Sequence, residues 1–158
     1  MQLYCRQKSV TVEWPGGDRL IAEAILNDPV HEIKVIIEYS IPEEKIARAR
    51  AEFIRYPWDL CEEAQQIVSR LEGLKVGKGM RRQVVQMVGG EEGCSHVLDL
   101  VMEAAAALVQ AGYRIRHRNS SPQERKINIL AELRGTCIAH RREGRKAEPV
   151  GEWIRAKG

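Results

Sequence analysis

The chain has 158 residues, of which 44% are hydrophobic and 30% charged, and its formal net charge is +3. This length suits one compact domain with a substantial apolar core. No apolar run approaches the roughly 18 residues of a membrane span, and residues 1–10 lack the apolar segment of a signal peptide. Four cysteines are too few for a disulfide framework in a chain of this length. We therefore expect a cytoplasmic protein with reduced thiols and no membrane association.

The first third of the sequence predicts strands. Apolar and polar residues alternate over residues 10–14, 20–26 and 33–39, and a fourth stretch over 47–53 repeats with period two. Turn-forming residues separate these stretches, as in the PGGD sequence at 15–18. Because the connections are short, successive strands should pair as an antiparallel meander with one buried face.

The rest of the sequence predicts helices. Asp59 is followed three residues later by Glu62, a spacing typical of a capping box, and Ser121 and Glu124 repeat that spacing with Pro122 between them. Glycines mark the expected helix ends, for example Gly112. The predicted helices cover residues 59–73, 80–88, 95–110 and 121–135.

These elements predict an α+β fold, in which a four-stranded antiparallel meander is followed by about four helices packed on one face. We expect a single domain over residues 1–140, with the sheet in 1–56 and the helical part in 57–140. The residues 141–158 are rich in charge, glycine and proline and should form a basic arm that docks Trp153.

Three of the cysteines occur where helices are expected to begin. Cys61 follows Asp59, Cys94 directly precedes the helix predicted at 95–110, and Cys137 follows the break at Gly135. A helix N-terminus has free backbone N–H groups and about half a unit of positive charge, which favours an anion such as a thiolate. These positions therefore indicate reactive or metal-binding cysteines.

Cys94 is accompanied by other polar groups on the same helix. His96 lies in the first turn, and Asp99 is close enough to hydrogen-bond its imidazole. Glu103 continues this polar stripe one turn later. The opposite side of the helix should be buried, and it consists of Val97, Val101, Ala104, Ala105 and Leu108.

One hypothesis for these residues is a transition-metal site. Thiolate and imidazole are the ligands that zinc and iron prefer in proteins. No pair has zinc-finger spacing, but ligands from distant segments can converge in the fold. The candidate ligands are Cys61, Cys94, His96, Cys137 and His140, and the candidate cofactor is zinc or iron.

A second hypothesis makes Cys94 the nucleophile of an enzyme, with His96 as its base and Asp99 as the group that orients the imidazole. Residues two apart on a helix point about 200° from each other, so contact requires Cys94 to lie outside the regular turn. In a third interpretation the cysteines are small buried hydrophobes and His96 merely packs. His31 and His117 are interpreted as surface residues.

The basic residues are concentrated in the carboxy-terminal part. Residues 113–146 hold ten Lys and Arg against three Glu, a local balance of +7. This region is either a solvated basic face or a surface for an anionic partner such as nucleic acid or a phosphorylated ligand. The candidate anion-binding residues are Arg114, Arg116, Arg118, Arg125, Lys126, Arg141 and Arg142. Partners and oligomeric state are otherwise unspecified by the sequence.

Three stretches carry a resemblance to a known family: PWDLCEEA at 57–64, Gly-x-Gly-x-Arg-Arg at 77–82, and GGEEGCSHVLDL at 89–100. Together they make residues 1–110 resemble the bacterial family catalogued as Domain of Unknown Function 2889. The family pattern usually has Cys-Pro-x-Ala where this chain has CEEA, and Gly-Trp where it has Gly79-Met80. The resemblance implies that Cys61, Cys94 and His96 belong together, and it implies no established activity.

A second likeness is to iron–sulfur scaffold and sulfur-acceptor proteins. In both cases a small sheet precedes a Gly-Cys pair that opens a helix, and a late cysteine follows. The likeness differs at Cys61, which follows the sheet, whereas the first cysteine of those proteins lies within it. It implies an iron–sulfur or sulfur-acceptor scaffold as a further alternative.

Overall fold

The computed structural model describes residues 1–143. Its amino-terminal part is a four-stranded sheet in which every neighbouring pair is antiparallel and the strands follow chain order. The predicted meander is therefore confirmed. The strands are β1 (Gln7–Glu13), β2 (Arg19–Asn27), β3 (Glu32–Ser40) and β4 (Lys45–Arg55).

One face of this sheet is buried because its apolar residues recur with period two. In the central pair of strands, Leu20 lies opposite Tyr39 and Ala22 lies opposite Ile37. The alternate residues of β2 and β3 are partly exposed on the other face. A one-residue slip would turn the whole apolar set outward, so the pattern fixes the register. The buried sheet residues are Leu20, Ala22, Ala24, Leu26, Ile33, Val35, Ile37, Tyr39, Ile46, Ala49 and Ala51.

The segment after β4 differs from the single helix predicted over 59–73. It consists of a 3₁₀ helix (Asp59–Glu62), a short helix α1 (Glu63–Gln66) and a second 3₁₀ helix (Ile67–Leu71). The predicted capping box is wrong, because the helix is capped at Trp58 instead of Asp59 and has no side-chain cap hydrogen bond; the Glu62 carboxylate accepts from the Tyr56 hydroxyl. The backbone at Cys61 is therefore 3₁₀ rather than α-helical.

Two longer helices complete the amino-terminal unit. They are α2 (Met80–Val88) and α3 (Ser95–Arg116), and both begin where the sequence predicts. Helix α3 continues past Gly112, which was predicted to end it, since an interior glycine weakens a helix by only about 1 kcal/mol. The predicted buried side of α3 is confirmed at Val97, Val101, Ala104, Ala105 and Leu108, and Leu100 is buried as well.

The described residues fall into two compact units, one over residues 1–112 and one that begins at residue 113. In the second unit, α4 (Pro122–Glu132) begins with the predicted capping box: Ser121 Oγ accepts from the Glu124 backbone N–H, and the Glu124 carboxylate accepts from Ser121 N–H. A 3₁₀ helix (Ile138–His140) follows. The α+β class, with a meander followed by four helices, is confirmed.

The predicted docking of Trp153 lies outside the described residues. No helix within residues 1–143 has the length and apolar character needed to cross a membrane.

Candidate functional site

Cys94 lies at the end of a tight loop that connects α2 to α3. A Cβ atom added to Gly93 would come within 2.2 Å of the Val88 carbonyl oxygen, so only glycine allows this approach. The same carbonyl accepts a hydrogen bond of 2.9 Å from the Cys94 backbone N–H. The Cys94 carbonyl then accepts from Leu98 N–H at 3.0 Å, which opens α3. Cys94 is thus outside the regular helical turn, as contact with His96 requires.

His96 has a partner at each ring nitrogen. Its Nδ1 lies 3.9 Å from the Cys94 sulfur, and its Nε2 lies 3.0 Å from Nη2 of Arg6. The sulfur contact is long for a hydrogen bond, and such contacts at reactive sites commonly tighten when a ligand binds. The structure therefore brings together Cys94 and His96, the two candidates of the sequence motif, and adds an arginine from the segment before β1.

A buried carboxylate, Asp28, holds this arginine. Its side chain is 0% exposed and lies in the loop between β2 and β3. It accepts hydrogen bonds from Arg6 Nε at 2.9 Å, from the Tyr4 hydroxyl at 2.7 Å, and from the backbone N–H groups of Val30 and His31 at 2.8 and 2.7 Å. Burial alone raises the pKa of Asp28, but these hydrogen bonds outweigh it and hold that pKa far below its usual range.

His31 extends the cluster on the other side of His96. Its ring centroid lies 4.1 Å from that of His96, and its Nδ1 is 3.3 Å from the Asp28 carboxylate. Its side chain is only 16% exposed, so its interpretation as a surface residue is wrong. Burial, together with the like charges of His31 and Arg6, lowers the pKa of His96 and favours the neutral imidazole.

Asp99 is not the orienting group that the sequence predicts. Its carboxylate pairs with the ammonium of Lys8 at 3.3 Å, and both side chains are at the surface. Both ring nitrogens of His96 face other groups, Cys94 and Arg6, so no imidazole N–H is directed at Asp99. Glu103 is exposed one turn further along α3, as predicted.

Cys61 is half-buried on the first 3₁₀ helix, and no hydrogen bond joins it to Cys94 or His96 within residues 1–143. No three His, Cys, Asp or Glu side chains in that range are arranged to hold a metal ion, so the predicted metal site is not confirmed. The two cysteine-bearing segments do approach each other, since Leu60 and Gly93 line the same cleft of about 510 Å³.

The remaining candidate ligands, Cys137 and His140, belong to the second unit. Cys137 is exposed, and it precedes a 3₁₀ helix of three residues. His140 is half-buried, and its Nδ1 is buried with no hydrogen-bond partner. Their convergence with Cys61 and Cys94 stays a prediction.

The basic residues of the second unit make contacts within that unit. Arg116 pairs with Glu132 at 3.3 Å and lies over the ring of Tyr113 at 4.9 Å. Backbone carbonyls accept hydrogen bonds from Arg118, Arg125 and Arg141. Arg114 and Arg142 are exposed and Lys126 is half-buried. An anion-binding surface on these residues stays a prediction.

Four residues of the cluster escaped the sequence analysis: Tyr4, Arg6, Asp28 and His31. A sequence signal for Asp28 exists, since Asn27, Asp28 and Pro29 are turn-forming residues and an Asp in a turn commonly accepts from the backbone two residues on. Nothing in that pattern indicates that residues 4 and 6 fold back across 22 or more positions to reach it.

The comparisons with known proteins give one match. The model of the family described as "Protein of unknown function (DUF2889)" matches residues 17–110. This range contains Asp28, His31, Cys94 and His96, and it begins after Arg6. No curated protein and no solved structure matches the chain. Because the matched range covers more than half of the sequence, the chain belongs to the DUF2889 family.

Proposed function

We propose that this chain is a thiol-dependent protein in which Cys94 acts as a nucleophile in thiol or acyl transfer. The observation that carries the proposal is the approach of the Cys94 sulfur to within 3.9 Å of His96 Nδ1, with Cys94 directly before the 22-residue helix α3. Cysteines at such positions gain reactivity from the helix N-terminus and from neighbouring cationic or hydrogen-bonding groups.

The electrostatic surroundings support an anionic sulfur at this position. Cys94 directly precedes α3, whose N-terminal end carries partial positive charge, and the guanidinium of Arg6 lies on the far side of the His96 ring. The one buried carboxylate in residues 1–143, Asp28, is neutralised by the groups around it, including Arg6. A sulfur anion here therefore faces hydrogen-bond donors rather than an unpaired negative charge.

The proposed step is a substitution at an electrophilic carbon. The Cys94 thiol releases its proton to solvent, and the resulting thiolate attacks an acyl carbonyl carbon. A sulfur–carbon bond forms, and the bond from that carbon to its leaving group breaks. The leaving group departs with the electron pair and takes its proton from solvent. The acyl group is then carried on Cys94 as a thioester until an acceptor removes it.

The adjoining cleft supports a bound substrate near this sulfur. It holds about 510 Å³, a volume within the usual range for small-molecule sites, and Gly93, which precedes Cys94, is part of its wall. Its lining combines apolar side chains such as Ile67 with the carboxylates of Glu63 and Glu92.

A thioester probe tests the proposal. Metal-free protein is incubated with phenyl thioacetate, and peptide mass spectrometry locates the added acetyl group. We expect acetylation of Cys94 in the unaltered chain, loss of this adduct in Cys94→Ser, and its retention in Cys61→Ser, the matched control. Acetylation that is absent, or that is spread evenly over all four cysteines, contradicts the proposal.

A second candidate function is binding of zinc or iron, with Cys94 and His96 as ligands. Zinc bonds of about 2.3 Å to sulfur and about 2.0–2.1 Å to nitrogen place two ligands of one ion roughly 3.5–4 Å apart, and 3.9 Å fits. It ranks second because ligation through Nδ1 puts the imidazole proton on Nε2, where it opposes the donors of Arg6. Cys61, Cys137 and His140 remain proposed additional ligands.

Elemental analysis separates the two candidates. Protein purified without chelators is assayed for zinc and iron, and its free thiols are counted before and after metal removal. About one metal ion per chain, lost in Cys94→Ser, establishes the metal site. The thiol proposal predicts four titratable thiols in the protein as purified.

A further inference from the structure

Arg6 connects the buried carboxylate to the cysteine–histidine pair. Its Nε lies 2.9 Å and its Nη2 lies 2.8 Å from Oδ2 of Asp28, so two guanidinium nitrogens bind the same carboxylate oxygen. Nη2 also lies 3.0 Å from Nε2 of His96. The same arginine nitrogen thus faces a carboxylate on one side and an imidazole on the other.

In the contact with His96, Arg6 can only be the hydrogen-bond donor. A guanidinium has five N–H donors and no acceptor, and it stays protonated in proteins. Nε2 of His96 must therefore accept, which requires its lone pair to be free. In the neutral imidazole the single proton is then on Nδ1, and Nδ1 is the atom that faces the Cys94 sulfur.

The surroundings hold Arg6 and His96 in this arrangement. Asp28 is itself fixed by the backbone N–H groups of Val30 and His31 in its own loop. The ring of His31 covers the His96 ring at a centroid distance of 4.1 Å and opposes its rotation. The orientation of the guanidinium is therefore set by the hairpin loop, and Arg6 transmits it to His96.

We propose that Arg6 is a positioning residue of the thiol site: by donating to His96 Nε2 it fixes the Nδ1–H tautomer, so that Cys94 receives a hydrogen bond instead of losing its proton to His96. The assignment of His96 as the base of Cys94, made from the sequence, is replaced by a donor role. The inference rests on the proposed function for its catalytic meaning, whereas the tautomer itself can be observed without any reaction.

The ring nitrogens of His96 report the tautomer directly. Their ¹⁵N chemical shifts separate a protonated from a bare nitrogen, and they are recorded at about pH 8, where a histidine of lowered pKa is neutral. We expect a protonated Nδ1 and a bare Nε2 in the unaltered chain. In Arg6→Met the proton should move to Nε2 in a large part of the population, and Arg6→Lys, which retains a donor, should restore Nδ1–H.

Tyr4→Phe is the matched control, because it also removes a hydrogen bond to Asp28 but leaves Arg6 in place. It should leave the tautomer unchanged. Alkylation of Cys94 should slow by about fivefold in Arg6→Met, the factor that one net hydrogen bond supplies, and should change little in Tyr4→Phe.

A bare Nδ1 in the unaltered chain overturns the inference, and this result needs no variant to fold. An unchanged tautomer in a folded Arg6→Met protein overturns it as well, whatever the reactivity of Cys94. A tautomer that follows Arg6 as expected supports the inference even if phenyl thioacetate fails to acetylate Cys94, in which case only the proposed function fails.

Discussion

The segments that carry Cys61 and Cys94 look alike in sequence and differ in structure. Each cysteine follows acidic residues at a predicted helix start. Cys61 is on a 3₁₀ helix of four residues, and its backbone N–H bonds back to the Trp58 carbonyl at 3.0 Å. Cys94 opens a helix of 22 residues and has an imidazole nitrogen beside its sulfur.

A position at a helix start is therefore not sufficient to form a site like that of Cys94. Cys94 contacts His96, and the neighbours of His96 come from two other segments, the residues before β1 and the loop between β2 and β3, which meet at Asp28. In the range 1–143 no comparable histidine or arginine hydrogen-bonds the Cys61 sulfur. Cys61 therefore provides an internal reference for every measurement on Cys94.

The largest predicted effect concerns the glycine loop, which the Cys61 segment lacks. Gly93→Ala forces a Cβ to within 2.2 Å of the Val88 carbonyl oxygen, so the backbone must shift. We expect a loss of about 3 kcal/mol in the free energy of unfolding, measured by urea denaturation.

Gly90→Ala is the control, because its added Cβ meets no atom within 4 Å and only the positive φ of 73° is strained. It should cost about 1 kcal/mol. Equal losses for the two variants contradict the role of the close approach at Gly93.

The second-largest predicted effect is the loss of stability on replacing Asp28, compared with replacing Asp59. Asp28→Ala removes a buried acceptor of hydrogen bonds from Arg6, Tyr4 and two backbone N–H groups, and we expect it to destabilise the protein by about 2–3 kcal/mol. Asp59→Ala, in the Cys61 segment, removes an exposed carboxylate that accepts a hydrogen bond from Leu60 N–H. Its cost should be about 0.5 kcal/mol or less. Similar losses in urea denaturation contradict the structural role of Asp28.

His96 and Asp28 should affect the free energy of unfolding in different pH ranges. The lowered pKa of His96 means that the unfolded chain binds more protons just below about pH 6.5, so stability falls as pH drops through that window. His96→Gln should flatten this part of the profile. The pKa of Asp28 is also lowered, and its contribution is present above about pH 4 and is lost as the pH falls further.

These profiles are measured as unfolding midpoints between about pH 8 and pH 3. A stability that rises as pH falls from 8 to 6 in the unaltered chain, and is level in His96→Gln, contradicts the lowered pKa of His96.

The smallest effect is expected at the surface pair of Lys8 and Asp99. Asp99→Asn breaks an ion pair of 3.3 Å between partly exposed groups and should cost less than about 1 kcal/mol. The rate of Cys94 alkylation should not change. If it falls more in Asp99→Asn than in Arg6→Met, then Asp99 orients His96 and Arg6 does not.

The sequence predicts the sheet and the buried side of α3 because these depend on local periodicity. The strand patterns over 20–26 and 33–39 identify the buried face, and the spacing of Val97, Val101 and Leu108 identifies that of α3. The prediction fails at residues 59–73, where the helix is capped at Trp58 and the Glu62 carboxylate contacts the Tyr56 hydroxyl, a pairing that the capping-box pattern does not indicate.

The sequence likewise predicts only part of the candidate site. Cys94 and His96 are two residues apart in sequence, so the motif reveals both. Arg6 and Asp28 meet through a non-local fold of the amino-terminal segment, and no pattern within either segment reports it. Asp99 was chosen as the partner of His96 on helical spacing alone, but its carboxylate faces Lys8.

The neighbours of Cys94 should make its sulfur more reactive than the other thiols. The most direct test lets the four cysteines of one molecule compete for the same labelling reagent. Metal-free protein is treated with a small excess of iodoacetamide at about pH 6.5, and mass spectrometry gives the labelling rate of each cysteine. Cys5 and Cys137 are exposed, whereas Cys94 and Cys61 are half-buried. We expect Cys94 to be labelled about tenfold faster than Cys61 and faster than exposed Cys5. Labelling in the order of exposure, with Cys94 no faster than Cys61, contradicts this expectation.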